Sequence, residues 1–293
     1  MSSFRIGILS AVSAQIMWGL FPVYWNLLAS VSPLEVLGHR NIWCAIFLSL
    51  LVISSTQRRS VVRSVFAQPK EILHHLFSSI LIAGNWLVYI WAVVSDHVID
   101  ASLGYFLSPL VSVVLGYVVF AERPKFSQWC AVALATAGVV VMIISSGVVP
   151  WIGLALAATF GVYGMTRKKA TTGPVNGLFI ETLLLVPASA ALLAWLAAEN
   201  LLSYESQFGQ TEILLALGGL ITAIPLVLYA QGARALPLSL SGLLVYITPS
   251  IQFLIGWLFY REPISVSGWV GFSCIWAALV IYSFSIGRVK TRL

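Results

Sequence analysis

The sequence predicts an all-α integral membrane protein of ten transmembrane helices, built as two inverted-topology five-helix repeats. Three observations predict it. Hydrophobic residues make up 59% of the chain and charged residues only 9%, where a soluble domain carries roughly 25% charged residues. The apolar residues form continuous runs of about 20, the length that crosses a ~30 Å hydrocarbon core as a helix; barrel strands would alternate over about ten residues. Third, one stretch occurs twice. A shift of 140 positions lays Pro109 on Pro249, Gly116 on Gly256, Glu122 on Glu262, Ser127 on Ser267 and Trp129 on Trp269, with Tyr89 on Tyr229 upstream. Matched proline, glutamate and tryptophan, each a small minority of the chain, indicate duplication.

The first span, 6–28, follows Arg5 and contains Trp18, Pro22 and Trp25; it is too long for a signal-peptide core and reads as a membrane span. The first half, 1–146, continues with 33–56, 72–94, 101–121 and 126–145. The second half, 147–293, holds 148–165, 175–197, 212–233, 241–260 and 266–286. With the N-terminus inside, fourteen of the sixteen lysines and arginines fall in inner segments, among them Arg58, Arg59, Arg63, Arg123, Arg167, Lys168, Lys169 and Arg234. Arg261 lies outside and Arg40 within a span. This asymmetry places both termini in the cytoplasm. It explains the net charge of +6 by topology and leaves no basic patch for nucleic acid. Cys44, Cys130 and Cys274 lie in apolar runs and read as small buried residues. Because the repeat carries span 4 onto span 9, five crossings on, its copies cross in opposite directions. Secondary transporters are built this way, with a site near the midplane between the halves.

Pro109 and Pro249 lie within spans, where each frees the carbonyl four residues back, that of Tyr105 or Val245; Pro22, Pro187 and Pro225 do likewise. The matched pair divides evenly between ordinary kinks and hinges beside a site. Arg40 lies about 10 Å into span 2 at 1.5 Å per residue. It reads either as a cavity group for an anionic or carbonyl-bearing solute, or as a side chain snorkelling to the headgroups beside Glu35 and His39. Glu181 lies about as deep in span 7, either a proton-coupling carboxyl or a hydrogen bond to a neighbouring helix. Glu122 and Glu262 end spans 4 and 9 and read as solvated caps or partners of Arg123 and Arg261.

The interiors are rich in aromatic and amide groups. Gln15, Trp18 and Pro22 share one face of span 1. Asn85, Trp86 and Tyr89 mark span 3; Tyr105 and Ser108, span 4; Tyr163, span 6; Tyr246 and Gln252, span 9. Such groups suit an amphipathic solute or an organic cation, with helix packing and interfacial belts as the competing use; Trp25, Trp151 and Trp195 belong to the belts. His74 and His75 after Glu71 lack a second set of ligands, so no metal is expected. There is no Walker loop, GxSxG or HExxH, hence no cofactor and no nucleotide-driven pump.

Several segments carry a family resemblance: Trp18-Gly19-Leu20-Phe21-Pro22-Val23-Tyr24-Trp25, Gly38-His39-Arg40, Asn85-Trp86, Ser102-Leu103-Gly104-Tyr105-Phe106, Tyr163-Gly164-x-x-Arg167-Lys168-Lys169 and Phe179-Ile180-Glu181-Thr182. Over nearly the whole chain it resembles the RarD branch of the EamA group in the drug/metabolite transporter superfamily. The resemblance implies a ten-helix permease of the bacterial inner membrane with a central cavity between inverted repeats; the branch is known by a chloramphenicol-sensitivity phenotype, and the superfamily moves amino acids, metabolites and drugs. Relatives tend to carry glutamine before the Tyr-x-x-Pro of span 9, where this chain has Val245.

The expected function is a secondary transporter that moves a small amphipathic solute by alternating access, most readily outward as efflux. His39, Arg40, Trp18, Asn85, Trp86, Tyr89, Tyr105, Tyr163, Tyr246 and Gln252 would bind it, with Glu181 as the proton-coupling candidate; proton coupling and a homodimer stay open. An uncoupled facilitator or uptake permease is the alternative. An intramembrane enzyme using His39 and Glu181 is disfavoured, because the two start about 10 Å apart along the membrane normal if the core is ~30 Å thick. A membrane assembly or sensor subunit would carry no flux.

Overall fold

A computed structural model describes residues 3–28, 30–94, 98–147, 151–203, 209–258 and 265–287. Every regular element among them is helical: α1 (Ser3–Trp25, continued by a 3-10 turn Asn26–Leu28), α2 (Pro33–Ile53), α3 (Thr56–Phe66), α4 (Pro69–Val94), α5 (Val98–Val119), α6 (Phe126–Ser146), α7 (Trp151–Lys169), α8 (Pro174–Ala198), α9 (Gln210–Ala235), α10 (Leu238–Leu244), α11 (Ile247–Leu258) and α12 (Val266–Gly287). Helices start where the sequence supplies punctuation. Pro33, Pro69 and Pro174 open α2, α4 and α8, at a position whose N–H has no intrahelical acceptor. Gln128 and Glu212 reach back to the N–H groups of Lys125 and Gly209 at the starts of α6 and α9.

Eight helical segments among the described residues are long and apolar enough to cross a membrane: 3–28, 33–53, 69–89, 126–145, 174–198, 210–235, 238–255 and 266–284. Their outer faces remain apolar, with Leu50, Ile144, Val280 and Phe284 all exposed. An apolar surface so extensive suits lipid and not water. The chain is a multi-pass membrane protein.

Span 9 departs from expectation. Instead of one helix it forms α10 and α11, separated at Val245–Tyr246. Pro249 has no N–H to offer the Val245 carbonyl, and that carbonyl accepts from Thr248 at 3.1 Å instead. The tighter i→i+3 bonding ends one helix and starts the next. α5 runs unbroken through the matched Pro109, so the two prolines act differently. The loop expected between spans 2 and 3 contains α3. Ser55 caps it by accepting from the Arg58 N–H at 3.4 Å, and Val62 and Val65 turn inward while Arg59 and Arg63 are exposed. Of the cysteines, only Cys44 is buried; Cys130 is exposed and Cys274 half-buried.

Glu122 also corrects the sequence reading. Its carboxylate accepts from the backbone N–H groups of Leu238 and Ser239 and from the Ser239 hydroxyl, and so caps α10 in the other half of the chain. The unpaired N–H groups of a helix start attract an anion more strongly than Arg123 does in contact with water. Arg123 lies over the Tyr117 ring, 5.0 Å from its centroid. Glu262 and Arg261 lie outside the described residues.

The bundle packs through a few strong helix pairs: α1 with α9 and α11, α2 with α8 and α9, α4 with α7 and α8, α5 with α7 and α10, and α6 with α12. Lipid gives apolar helices little hydrophobic reason to associate, so small residues that let backbones approach carry much of the contact. A Cβ added at Gly219 would lie 2.6 Å from the backbone of Trp43 and Cys44, whereas one at Gly84 would meet nothing within 4 Å. Gly219→Ala is expected to force α2 and α9 apart at a cost of about 1–3 kcal/mol. Gly84→Ala should be neutral or stabilise by up to about 1 kcal/mol. Thermal unfolding in detergent, followed by near-UV signal, distinguishes the two.

Candidate functional site

One cavity of about 490 Å³ lies inside the bundle, a size that accommodates a drug-sized organic molecule. α1 presents Gln15, Trp18, Pro22 and Trp25 to it, a spacing that keeps all four on one helical face. α2 adds Arg40; α4 adds Asn85, Trp86 and Tyr89; α5 adds Tyr105 and Ser108; α7 adds Phe160; α9 adds Thr222. The broken crossing contributes Val245, Thr248 and Gln252. The cavity reaches the α1–α2 connection, where Leu28, Val31 and Pro33 border it.

Polar contacts hold the wall in register. The Thr248 hydroxyl lies 2.8 Å from the side-chain oxygen of Gln15. Asn85 donates to the Leu156 carbonyl at 2.9 Å and to the Thr159 hydroxyl at 2.8 Å, tying α4 to α7. Pro22 deprives the Trp18 carbonyl of its helical donor, and the Gln252 amide supplies one from α11 at 3.3 Å. A kink in one helix thus becomes the attachment point of another. Arg40 stands over the face of Trp86, 3.9 Å from the ring centroid, and 6.0 Å from that of Trp25. Trp25 is therefore a cavity residue rather than a member of an interfacial belt. Trp151 and Trp195 are exposed on the outer surface.

Away from the α1–α2 end the cavity stops at packed aromatic rings. Trp18 lies 5.6 Å from Tyr229 and 6.0 Å from Phe160, and Tyr229 stacks on Tyr163 at 6.4 Å. Below them sits a buried polar cluster. Glu181 on α8 receives Arg167 Nη1 at 2.8 Å and the Tyr163 hydroxyl at 3.2 Å. His75 Nδ1 lies 3.6 Å from the same carboxylate, and its other ring nitrogen lies 3.1 Å from the Thr172 hydroxyl. Arg167, His75 and Tyr163 have 0% exposure, and Glu181 has 1%. Gly177 leaves room for the guanidinium, since a Cβ there would lie 2.6 Å from Arg167 Nη2; Gly164 leaves room for the Tyr229 hydroxyl.

Seven of the expected binding residues meet in the cavity: Trp18, Arg40, Asn85, Trp86, Tyr89, Tyr105 and Gln252. Three do not. His39, one residue from Arg40 and so about 100° around the helix, is not among the residues that line the cavity. Tyr163 is in the cluster beneath. Tyr246 is fully buried, and its hydroxyl donates to the Phe106 carbonyl at 3.0 Å. His39 and Glu181 share no partner among the described contacts. Sequence reasoning missed Arg167, which charge counting assigned to an inner loop, and with it the partner of Glu181. The signal was present: Tyr163 and Arg167 are four apart, on one helical face, and a deep glutamate needs a cation.

A lipid-facing helical bundle around a solute-sized cavity, sealed at one end and bordered at the other by a connection, has the build of a membrane transporter. The comparisons with known proteins agree: the EamA-like transporter family matches residues 5–144 and 149–284, and the chain belongs to that family, in its RarD branch. It is 41% identical to a transporter of Vibrio cholerae, over 94% of this chain and 91% of that one. It is 38% identical to the protein RarD of Streptomyces exfoliatus, over 98% and 91%. It is 30% identical to the chloramphenicol-sensitive protein RarD of Pseudomonas aeruginosa, over 98% and 96%. A solved crystal structure shares the fold at a TM-score of 0.73, covering 99% of this chain and 100% of that chain at 16% identity.

Removing one member of a buried ion pair leaves the other charge uncompensated, typically at about 3–5 kcal/mol. Arg167→Met alone is expected to lower stability by that order. Combining it with Glu181→Leu should recover most of the loss. Thermal unfolding of both variants in detergent checks this.

Proposed function

We propose that the protein is a secondary transporter carrying a small amphipathic solute across the bacterial inner membrane by alternating access, with both termini cytoplasmic. The observation that carries this reading is the unlike state of two repeat-related residues. Tyr89 lines the cavity with 38% exposure, whereas Tyr229, 140 positions on, is 1% exposed in the aromatic plug. A carrier caught facing one side needs this asymmetry: equivalent positions open in one half and closed in the other.

Ten crossings follow when α5 and α7 join the eight apolar segments. The packing supports an inverted repeat of residues 1–146 and 147–293. Carrying α1, α2, α4, α5 and α6 onto α7, α8, α9, α10–α11 and α12 turns the α1–α9 contact into α7–α4. In the same way α2–α9 becomes α8–α4, and α5–α7 becomes α10/α11–α1; all these pairs occur. Tyr246 touches Phe106, its own repeat equivalent. On this topology the cavity faces outward, and the Arg167–Glu181 pair closes the cytoplasmic end.

Opening that end would part α7 from α8. Glu181 would lose Arg167, and a carboxylate that stays buried without its cation favours taking up a proton. This makes Glu181 the proton site. Proteoliposomes loaded with a solute panel, with and without a pH gradient, test the proposal. The wild type should accumulate a substrate against its gradient when the pH gradient drives it, and Glu181→Gln should exchange solute without responding to pH. Coupled accumulation by Glu181→Gln would remove that residue from coupling. Wild-type flux indifferent to the gradient would identify an uncoupled facilitator.

A further inference from the structure

We infer that the cavity selects an organic oxyanion: a solute with a carboxylate, sulfonate or phosphate head and a flat apolar body. This deepens the transport reading of the same cavity and rests on it. Arg40 is the only fully charged side chain among the described residues that line the cavity. Among the carboxylates whose side chains are described, none pairs with it. Glu35 accepts from the Ser203 N–H, Glu122 caps α10, Glu181 holds Arg167, Glu71 accepts from Thr171, Glu212 accepts from Gly209, and Glu199 is exposed at the end of α8. A cation inside a membrane protein with no anionic partner is costly, and the faces of Trp86 and Trp25 offset that cost only in part.

Two of the three buried groups left without partners on cavity-lining residues have the matching polarity. Arg40 Nε, Gln15 Nε2 and the Thr222 hydroxyl are buried, lack hydrogen-bond partners and belong to cavity-lining residues. The first two can only donate. Two unpartnered donors and one cation, on a wall whose described residues include no carboxylate, call for an acceptor that carries negative charge. The Trp86 ring also gives the guanidinium a face to rest on, 3.9 Å from its centroid, and a guanidinium suits two-point contact with an oxyanion. An organic cation is poorly served, because Arg40 already occupies the Trp86 face and repels a second positive charge. The apolar body has Trp18, Trp25, Phe160 and Tyr105 to pack against.

The test uses purified full-length protein and quenching of tryptophan fluorescence by matched probes: 4-phenylbutyrate, its primary amide, 4-phenylbutylamine, and the corresponding phenylalkyl sulfonate and phosphate. At least one oxyanion should bind ten-fold or more tightly than the amide and the amine. Arg40→Gln should abolish that preference, and Arg40→Lys should retain part of it. The order among the three acids identifies the preferred head. Equal binding of amide and acid, tighter binding of the amine, an unchanged preference in Arg40→Gln, or no binding of any probe would overturn the inference. Where Arg40→Gln fails to fold, Trp86→Leu serves in its place, because a freed guanidinium should weaken acid binding while the amide is little affected. Liposome flux separates this inference from the transport reading: acid binding without flux sinks transport alone, and flux of neutral solutes with no acid preference sinks only the substrate class.

Discussion

The structure depends first on a charge pair placed where charges are expensive. Arg167 and Glu181 meet at 2.8 Å with essentially no exposure. Neither can be deep in the bundle alone, so each fixes where the other's helix must run. α7 and α8 are joined across this contact, α4 is drawn in through His75, and Tyr163 adds its hydroxyl from one turn earlier on α7. The aromatic floor of the cavity rests on this cluster, because Tyr163 belongs to both. The closed end is thus a ladder from ion pair to phenol to stacked rings, each rung positioned by the one beneath.

Arg40 is the counterpoint. It is the same residue type, with aromatic faces where Arg167 has a carboxylate. The contrast divides the interior into an end whose arginine is paired with a carboxylate and an end whose arginine is not.

The all-helical, membrane-spanning character was legible in the sequence, because the bilayer leaves few choices: a run of about 20 apolar residues crosses it as a helix. The span 1 face was legible for the same reason, since Gln15, Trp18 and Pro22 obey helical spacing. Charge counting was less reliable. It treats every arginine as a topological marker, so it placed Arg167 with Lys168 and Lys169 in solvent, although two residues of helix rotation separate the buried guanidinium of Arg167 from the exposed amine of Lys169. The break at Val245 was hidden because the matched prolines predict two like helices, and the difference lies in the neighbours that stabilise each one. Glu122 shows the limit plainly. Its partners, the N–H groups of Leu238 and Ser239, carry no letter in the sequence, and they lie over a hundred positions away.

The link between Pro22 and Gln252 has an evolutionary consequence. The carbonyl of Trp18 is unpaired within its own helix only because position 22 is proline, and the amide at 252 is useful there only because that carbonyl is unpaired. The two residues therefore form one unit of inheritance across 230 positions of chain. A descendant that exchanges proline for an ordinary residue regains the hydrogen bond within α1, and selection on glutamine at 252 relaxes with it. A descendant that loses the glutamine first exposes a bare carbonyl to the cavity, and the proline then becomes the liability. Substitutions at the two sites should arrive together, in that order of tolerance, and their coupling marks the seam along which α1 and α11 evolve as a single piece.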